Sequence, residues 1–218
     1  MLNLFLCRKK SIFDKNYSIL MNLNNLKFPL DIKFHIATFS NDFSVTDANN
    51  QPVFYVREKI LSWRDVIKIY RDSSKKEELF QLRSNKIIDF QQTFTITDAN
   101  GNVVGKAKRK TFKSFWKATF HIYDANDNHL FTINERSGFT RMMDGMVGEI
   151  PVVGFFSGYI FNPKYVLTDL QGREMMEVSK EPSFFGRKFK LNQYQSSEND
   201  TLFVLSFMMM LISDRDRG

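Results

Sequence analysis

Lys106, Lys108 and Lys110 occupy every second position of one short stretch, with Gly105, Ala107 and Arg109 between them. In an extended strand that spacing sends three ammonium groups to one face. Their chemistry is attraction of anions, either lipid headgroups or an acidic protein partner. Related stretches set Arg57 and Lys59, Arg83 and Lys86, Arg136, and Lys180 at what should be matching strand ends. Lys113, Lys117, Arg187, Lys188 and Lys190 add charge to the connecting segments. The candidate ligand-binding set is therefore a basic rim of Arg57, Lys59, Lys106, Lys108, Arg109 and Lys110. The competing reading is that charged strand ends protect a β protein from edge-to-edge pairing.

Other chemistry finds less support. The stretches Asp98–Asn102 and Asp124–Asn128 begin like calcium loops, with carboxylate or amide at alternate positions. The loop glycine is replaced by Val103 in one and His129 in the other, and the closing glutamate by Arg109 in the first, though Glu135 fits in the second. Turn formation explains these aspartates without a metal. His35, His121 and His129 form no recognisable nucleophile–base pattern, and no zinc-protease or phosphate-loop motif occurs. Cys7 is the single cysteine, so an internal disulfide and a cysteine-rich zinc site are excluded, and a reducing, cytoplasmic setting fits best. No catalytic residue, metal ligand or cofactor is expected. The net charge of +7 permits anionic partners, but no nucleic-acid-binding signature accompanies it, so nucleic acid is an unlikely partner.

The elements that must position the rim are legible in a repeat. Asp47, Asp72, Asp98 and Asp124 follow one another at intervals of 25, 26 and 26, and Asp169 follows after 45. Around each lies an alternating run, an Asx-rich turn and a second alternating run, which reads as a hairpin. Hairpins joined end to end form a meander, and a long meander removes its edges by closing into a barrel. The irregular stretch 134–164 is expected to hold a further strand pair and a long loop, giving roughly ten to twelve strands. Trp63, Phe115, Trp116, Phe184 and Phe185 punctuate the connecting segments and would either close the barrel ends or wedge into an interface.

Residues 201–213, "TLFVLSFMMMLIS", are apolar on every face and read as a buried helix. Such a helix rises about 18 Å, short of the roughly 30 Å of a bilayer core. A barrel of about twelve strands is too wide for its own side chains to fill, and a helix about 10 Å across would fill it.

In its hairpins "DANNQPVFYVREKILSWRD" and "DANGNVVGKAKRKTFKSFWKATFHIYDANDNHLF", followed last by "LFVLSFMMML", the chain resembles the LURP-one-related branch of the tubby C-terminal-domain-like superfamily, which includes the phospholipid scramblases. The resemblance spans roughly residues 39–213. It implies an all-β fold: a closed antiparallel barrel of about twelve strands around a central hydrophobic C-terminal helix. Residues 1–30 are expected to be a poorly integrated tail, with Met21 an alternative start, and residues 31–218 a single barrel domain. Tubby domains bind phosphoinositides through basic side chains on a barrel strand, and "KAKRK" is similar in kind. The expectation is a monomeric, cytoplasmic, non-enzymatic binding module for anionic lipid headgroups or an acidic partner, either free or peripheral to a membrane. The alternatives are a scramblase-like membrane protein and a scaffold with no ligand. The Pro-rich extension and cysteine cluster of family scramblases are missing from this sequence.

Overall fold

The computed structural model describes residues 26–35, 42–61, 64–85, 91–111, 118–136, 164–183 and 187–215. Twelve strands follow in chain order: β1 (Leu30–Phe34), β2 (Asp42–Thr46), β3 (Pro52–Leu61), β4 (Arg64–Tyr70), β5 (Glu78–Asn85) and β6 (Gln91–Asp98). They continue as β7 (Val103–Thr111), β8 (Ala118–Asp124), β9 (His129–Glu135), β10 (Lys164–Asp169), β11 (Glu174–Glu181) and β12 (Lys188–Gln193). Among the described residues one helix, α1 (Asp200–Arg215), follows β12. Each strand pairs antiparallel with its sequence neighbour, and β1 closes the barrel against β12. The expected all-β barrel is thus the observed fold. The strand pair anticipated within 134–164 falls largely on 137–163, outside the described residues, and the twelve-stranded circle closes without it.

Five hairpins are built alike, and their aspartates explain why. Asp47 Oδ1 accepts the backbone N–H of Asn49 and of Gln51, at 2.8 and 2.9 Å. Asp98, Asp124 and Asp169 accept the equivalent pair of amides. Asp72 accepts one, from Ser74. The residue three after each aspartate adopts a left-handed conformation: Asn50, Lys75, Gly101, Asp127 and Gly172. Each hairpin register also shifts by one residue beside its turn. This is a turn closed by a left-handed residue and a bulge, the usual solution for a short hairpin loop. The carboxylates that resembled calcium ligands are spent on backbone amides.

The five Asx turns gather at one end of the barrel. Along each strand alternate residues point inward. Phe43, Phe54, Phe80, Phe94 and Phe120 are buried there, together with Ile69, Leu82, Ile122, Leu167 and Val178. The helix lies among them: every residue from Asp200 to Ser213 is buried, including Phe203 and Phe207 at 0% exposure. It is a turn longer than its sequence suggested, about 24 Å. Ser206, its one polar residue between Leu202 and Ile212, donates to the Leu202 carbonyl at 2.7 Å and so adds no unmet group. Asp200 anchors the start, accepting from Gln193 Nε2, Ser196 Oγ and the Ser197 N–H.

Helix and wall come close together at β7 and β8. A Cβ on Gly105 would sit 2.7 Å from the Tyr123 carbonyl oxygen and 2.7 Å from a Leu202 methyl. Gly105 and Ala107 are therefore small because the helix passes close by. That seating fixes which way β7 faces, and hence where its lysines point.

Candidate functional site

β7 alternates strictly. Gly105, Ala107 and Arg109 are buried against the interior, whereas Lys106 and Lys108 are half-buried and Lys110 exposed on the outer face. The outer face continues onto both neighbours. Thr93 and Thr95 of β6 pair with Lys108 and Lys106. Thr119, His121 and Tyr123 of β8 pair with Lys110, Lys108 and Lys106. Beyond them, β9 contributes His129, Thr132 and Asn134. Three cations thus stand in a field of hydroxyl, imidazole and amide groups.

One carboxylate reaches this field from its edge, Asp127 in the β8–β9 turn. It lies 2.6 Å from Lys106 Nζ and 3.7 Å from Lys108 Nζ. The Lys106 hydrogen bond, followed by the charges of Lys106 and Lys108, holds the Asp127 carboxyl below the usual range despite some desolvation. Lys108 also sits over the Tyr123 ring, 4.1 Å from its centre. Lys110 has no ion-pair partner among the described residues.

The histidines are organised. His121 Nδ1 and His129 Nε2 approach to 3.1 Å, and the same Nε2 lies 3.0 Å from the Phe131 carbonyl oxygen and 3.2 Å from Thr132 Oγ1. A carbonyl oxygen only accepts, so His129 Nε2 carries a hydrogen and His121 Nδ1 presents its lone pair. Burial, then the charges of Lys110 and His129, push His121 below its ordinary pKa.

The other candidates divide. Arg57 is on the outer face of β3 but faces Asp42 of β2 across the strand pair, with Nε 3.9 Å from Oδ1. Tyr55 donates to the other Asp42 oxygen at 2.7 Å. Burial, and then that hydrogen bond, push the Tyr55 hydroxyl up to about 12. Arg57 thus faces a buried carboxylate at ion-pair range, without a hydrogen bond to it. Lys59 continues β3 opposite Val66; its side chain lies outside the described residues. Arg109 does not join the lysines: it turns into the barrel at 2% exposure, with its guanidinium carbon 5.5 Å from the Phe120 ring centre. Period-two alternation separates it from Lys108 and Lys110 even though the three are contiguous. Arg83 lies on β5 as expected, but Lys86, Lys113, Lys117, Trp63, Phe115, Trp116, Phe184 and Phe185 lie outside the described residues.

Sequence reasoning found the lysines and missed their company. His121 and Tyr123 were visible as alternate residues of an expected strand. Placing them beside Lys108 and Lys106 needed the β7–β8 register, which the intervening segment 112–117 does not reveal.

Residues 84–153, about a third of the chain, match the family model described as LURP-one-related. That family is part of the tubby C-terminal-like superfamily. The matched segment contains β6 to β9 and hence the whole of this face. No curated protein and no solved structure matches the chain.

Proposed function

We propose that this chain, LURP-one-related through its central segment, is a non-enzymatic module that binds an anionic membrane surface through the outer face of β7 and β8. One observation carries the reading: Lys106, Lys108 and Lys110 share a face whose flanking strands supply hydroxyls and imidazole but, apart from Asp127 at the turn, no facing carboxylate among the described residues. Headgroup phosphates would meet Lys110 first, since it has no competing partner among the described residues. Lys108 would follow by exchanging a 3.7 Å contact with Asp127 for a closer one. The burial of α1 supports binding over a scramblase-like activity, because a membrane-active helix would have to leave a core that it fills. No helix among the described residues is long and apolar enough to cross a membrane.

The test is co-sedimentation of the purified protein with vesicles, with and without phosphatidylglycerol, across a salt series. Binding that requires the acidic lipid and weakens as salt rises is the expected result. No binding to acidic vesicles at low salt would sink the reading. Binding to polyglutamate in its place would point to an acidic protein partner.

A further inference from the structure

The lysine face carries a feature that simple anion attraction does not need. Two imidazole nitrogens, His121 Nδ1 and His129 Nε2, face each other at 3.1 Å. Such a contact holds together only while one nitrogen keeps its lone pair. The Phe131 carbonyl, 3.0 Å from His129 Nε2, fixes that nitrogen as the donor. His121 Nδ1 is therefore the acceptor, and a proton arriving there would set two N–H groups against each other. The contact as it stands therefore requires His121 Nδ1 to be unprotonated.

The surroundings oppose the missing proton. From β7, Lys106, Lys108 and Lys110 face the β8 row, with Lys108 directly opposite His121. From β8 the flanking groups are Thr119 and Tyr123, and from β9 they are His129, Thr132 and Asn134. The turn supplies Asp127, whose carboxylate is held by Lys106 and Lys108. His121 is thus a partly buried neutral base beside ammonium groups, among the described residues. Its proton affinity is depressed by burial first and by Lys110 next. A metal cation would meet the same ammonium charges, and two imidazoles without a carboxylate give it little to bind.

An anion offsets the ammonium charges, though not the burial. A phosphate seated against Lys108 and Lys110 screens their charge and offers an acceptor to a protonated His121. Rotation of the imidazole away from His129 then costs one contact and gains a charge-assisted hydrogen bond. We infer that this face is proton-gated: it holds anionic phosphodiester headgroups more tightly once His121 takes up a proton. The inference rests on the membrane-binding reading above and adds its regulation. Linkage makes it reciprocal, so bound headgroups must also favour protonated His121.

Phosphatidylglycerol vesicles are the right probe, because a phosphodiester keeps its charge through the range in which histidine titrates. On lowering from about pH 7.5 to about pH 5.5, wild-type binding should tighten about three- to tenfold. His121→Gln should bind with no pH dependence, and His35→Gln, remote on the β2 side, should keep it. In wild type, NMR should show the His121 pKa rising when short-chain phosphatidylglycerol is added, a readout that survives if the variant fails to fold. Vesicle binding with a flat pH profile, or one that His121→Gln shares, would overturn the gate and leave membrane binding standing. An unmoved His121 titration on adding the lipid would overturn the gate as well. No vesicle binding at any pH would overturn both.

Discussion

Strands β3 and β7 are written in similar terms, yet their outer faces reach opposite states. Each follows an Asx turn and carries basic residues in its second half. On β3, Arg57 looks across at Asp42, a carboxylate 2% exposed and already accepting from Tyr55. On β7, Lys108 looks across at Thr93 on one side and His121 on the other. The local motif sets backbone and facing alike in both strands. What decides whether a cation is spent or free is the residue opposite, contributed by another hairpin. A basic strand end is thus a binding candidate only after its cross-strand neighbours are known.

The inner faces differ in a complementary way and give the largest test. β3 presents Phe54 and Val56 to the core, whereas β7 presents Gly105 and Ala107 and lets the helix approach. Phe54→Ala leaves a cavity and should lower stability by about 3–5 kcal/mol. Gly105→Val drives a side chain into the Tyr123 backbone and should cost about 1–3 kcal/mol through overpacking. Denaturant unfolding measures both. A neutral Gly105→Val would mean that the helix does not press on β7.

The outer face of β3 comes next. Asp42→Ala strands the buried Tyr55 hydroxyl and Arg57, at a cost of about 1–3 kcal/mol. Tyr55 should then titrate below its value of about 12 by the part that Asp42 adds to burial, which spectrophotometric titration follows at alkaline pH. If the Tyr55 titration stays where it was, Asp42 is not what occupies this face.

A smaller effect concerns the turns, where exposed and buried carboxylates behave oppositely. Hydrogen bonds from the Asn128 side chain and then its backbone, outweighing a little desolvation, hold Asp124 below the ordinary carboxylate pKa. Its stabilisation is therefore complete above the unfolded value of 3.8 and is lost as pH falls through the lower, folded value. Asp200 is raised, chiefly by burial, so its ionisation opposes folding and acid relieves it. Asp124→Ala should melt a few degrees lower at neutral pH and lose less of its stability on acidification than wild type. An Asp124→Ala acid profile parallel to that of wild type would show that the turn carboxylate contributes nothing. Smallest of all, Lys110→Ala should change stability by less than about 0.5 kcal/mol, because the side chain is exposed and unpaired among the described residues. A larger loss would mark Lys110 as structural.

Much of this was legible in the sequence. Aspartates at a constant interval announced the hairpins, because a carboxylate that accepts two following amides specifies the turn by itself. The apolar stretch 201–213 announced a buried helix, since nothing else tolerates apolar residues on all sides. Alternation around Lys106, Lys108 and Lys110 announced their shared face. Illegible were the events that depend on register between hairpins: Asp42 opposite Arg57, His121 opposite Lys108, and Asp127 reaching back over β8 to Lys106. The inward turn of Arg109 followed from the same alternation that aligned the lysines, yet its charge suggested the surface.

The central claim is that the β7 face, not basic strand ends in general, meets the membrane. It is tested most directly by measuring phosphatidylglycerol-vesicle affinity at low salt for Lys108/Lys110→Ala beside Arg57/Lys59→Ala. Each surface lysine near an anionic bilayer contributes about 1 kcal/mol, so the β7 pair should weaken binding about ten- to thirtyfold. The β3 pair should weaken it by less than about threefold, since Arg57 has the buried Asp42 carboxylate opposite it to offset its charge. Equal losses from the two pairs, or a greater loss from β3, would contradict the account.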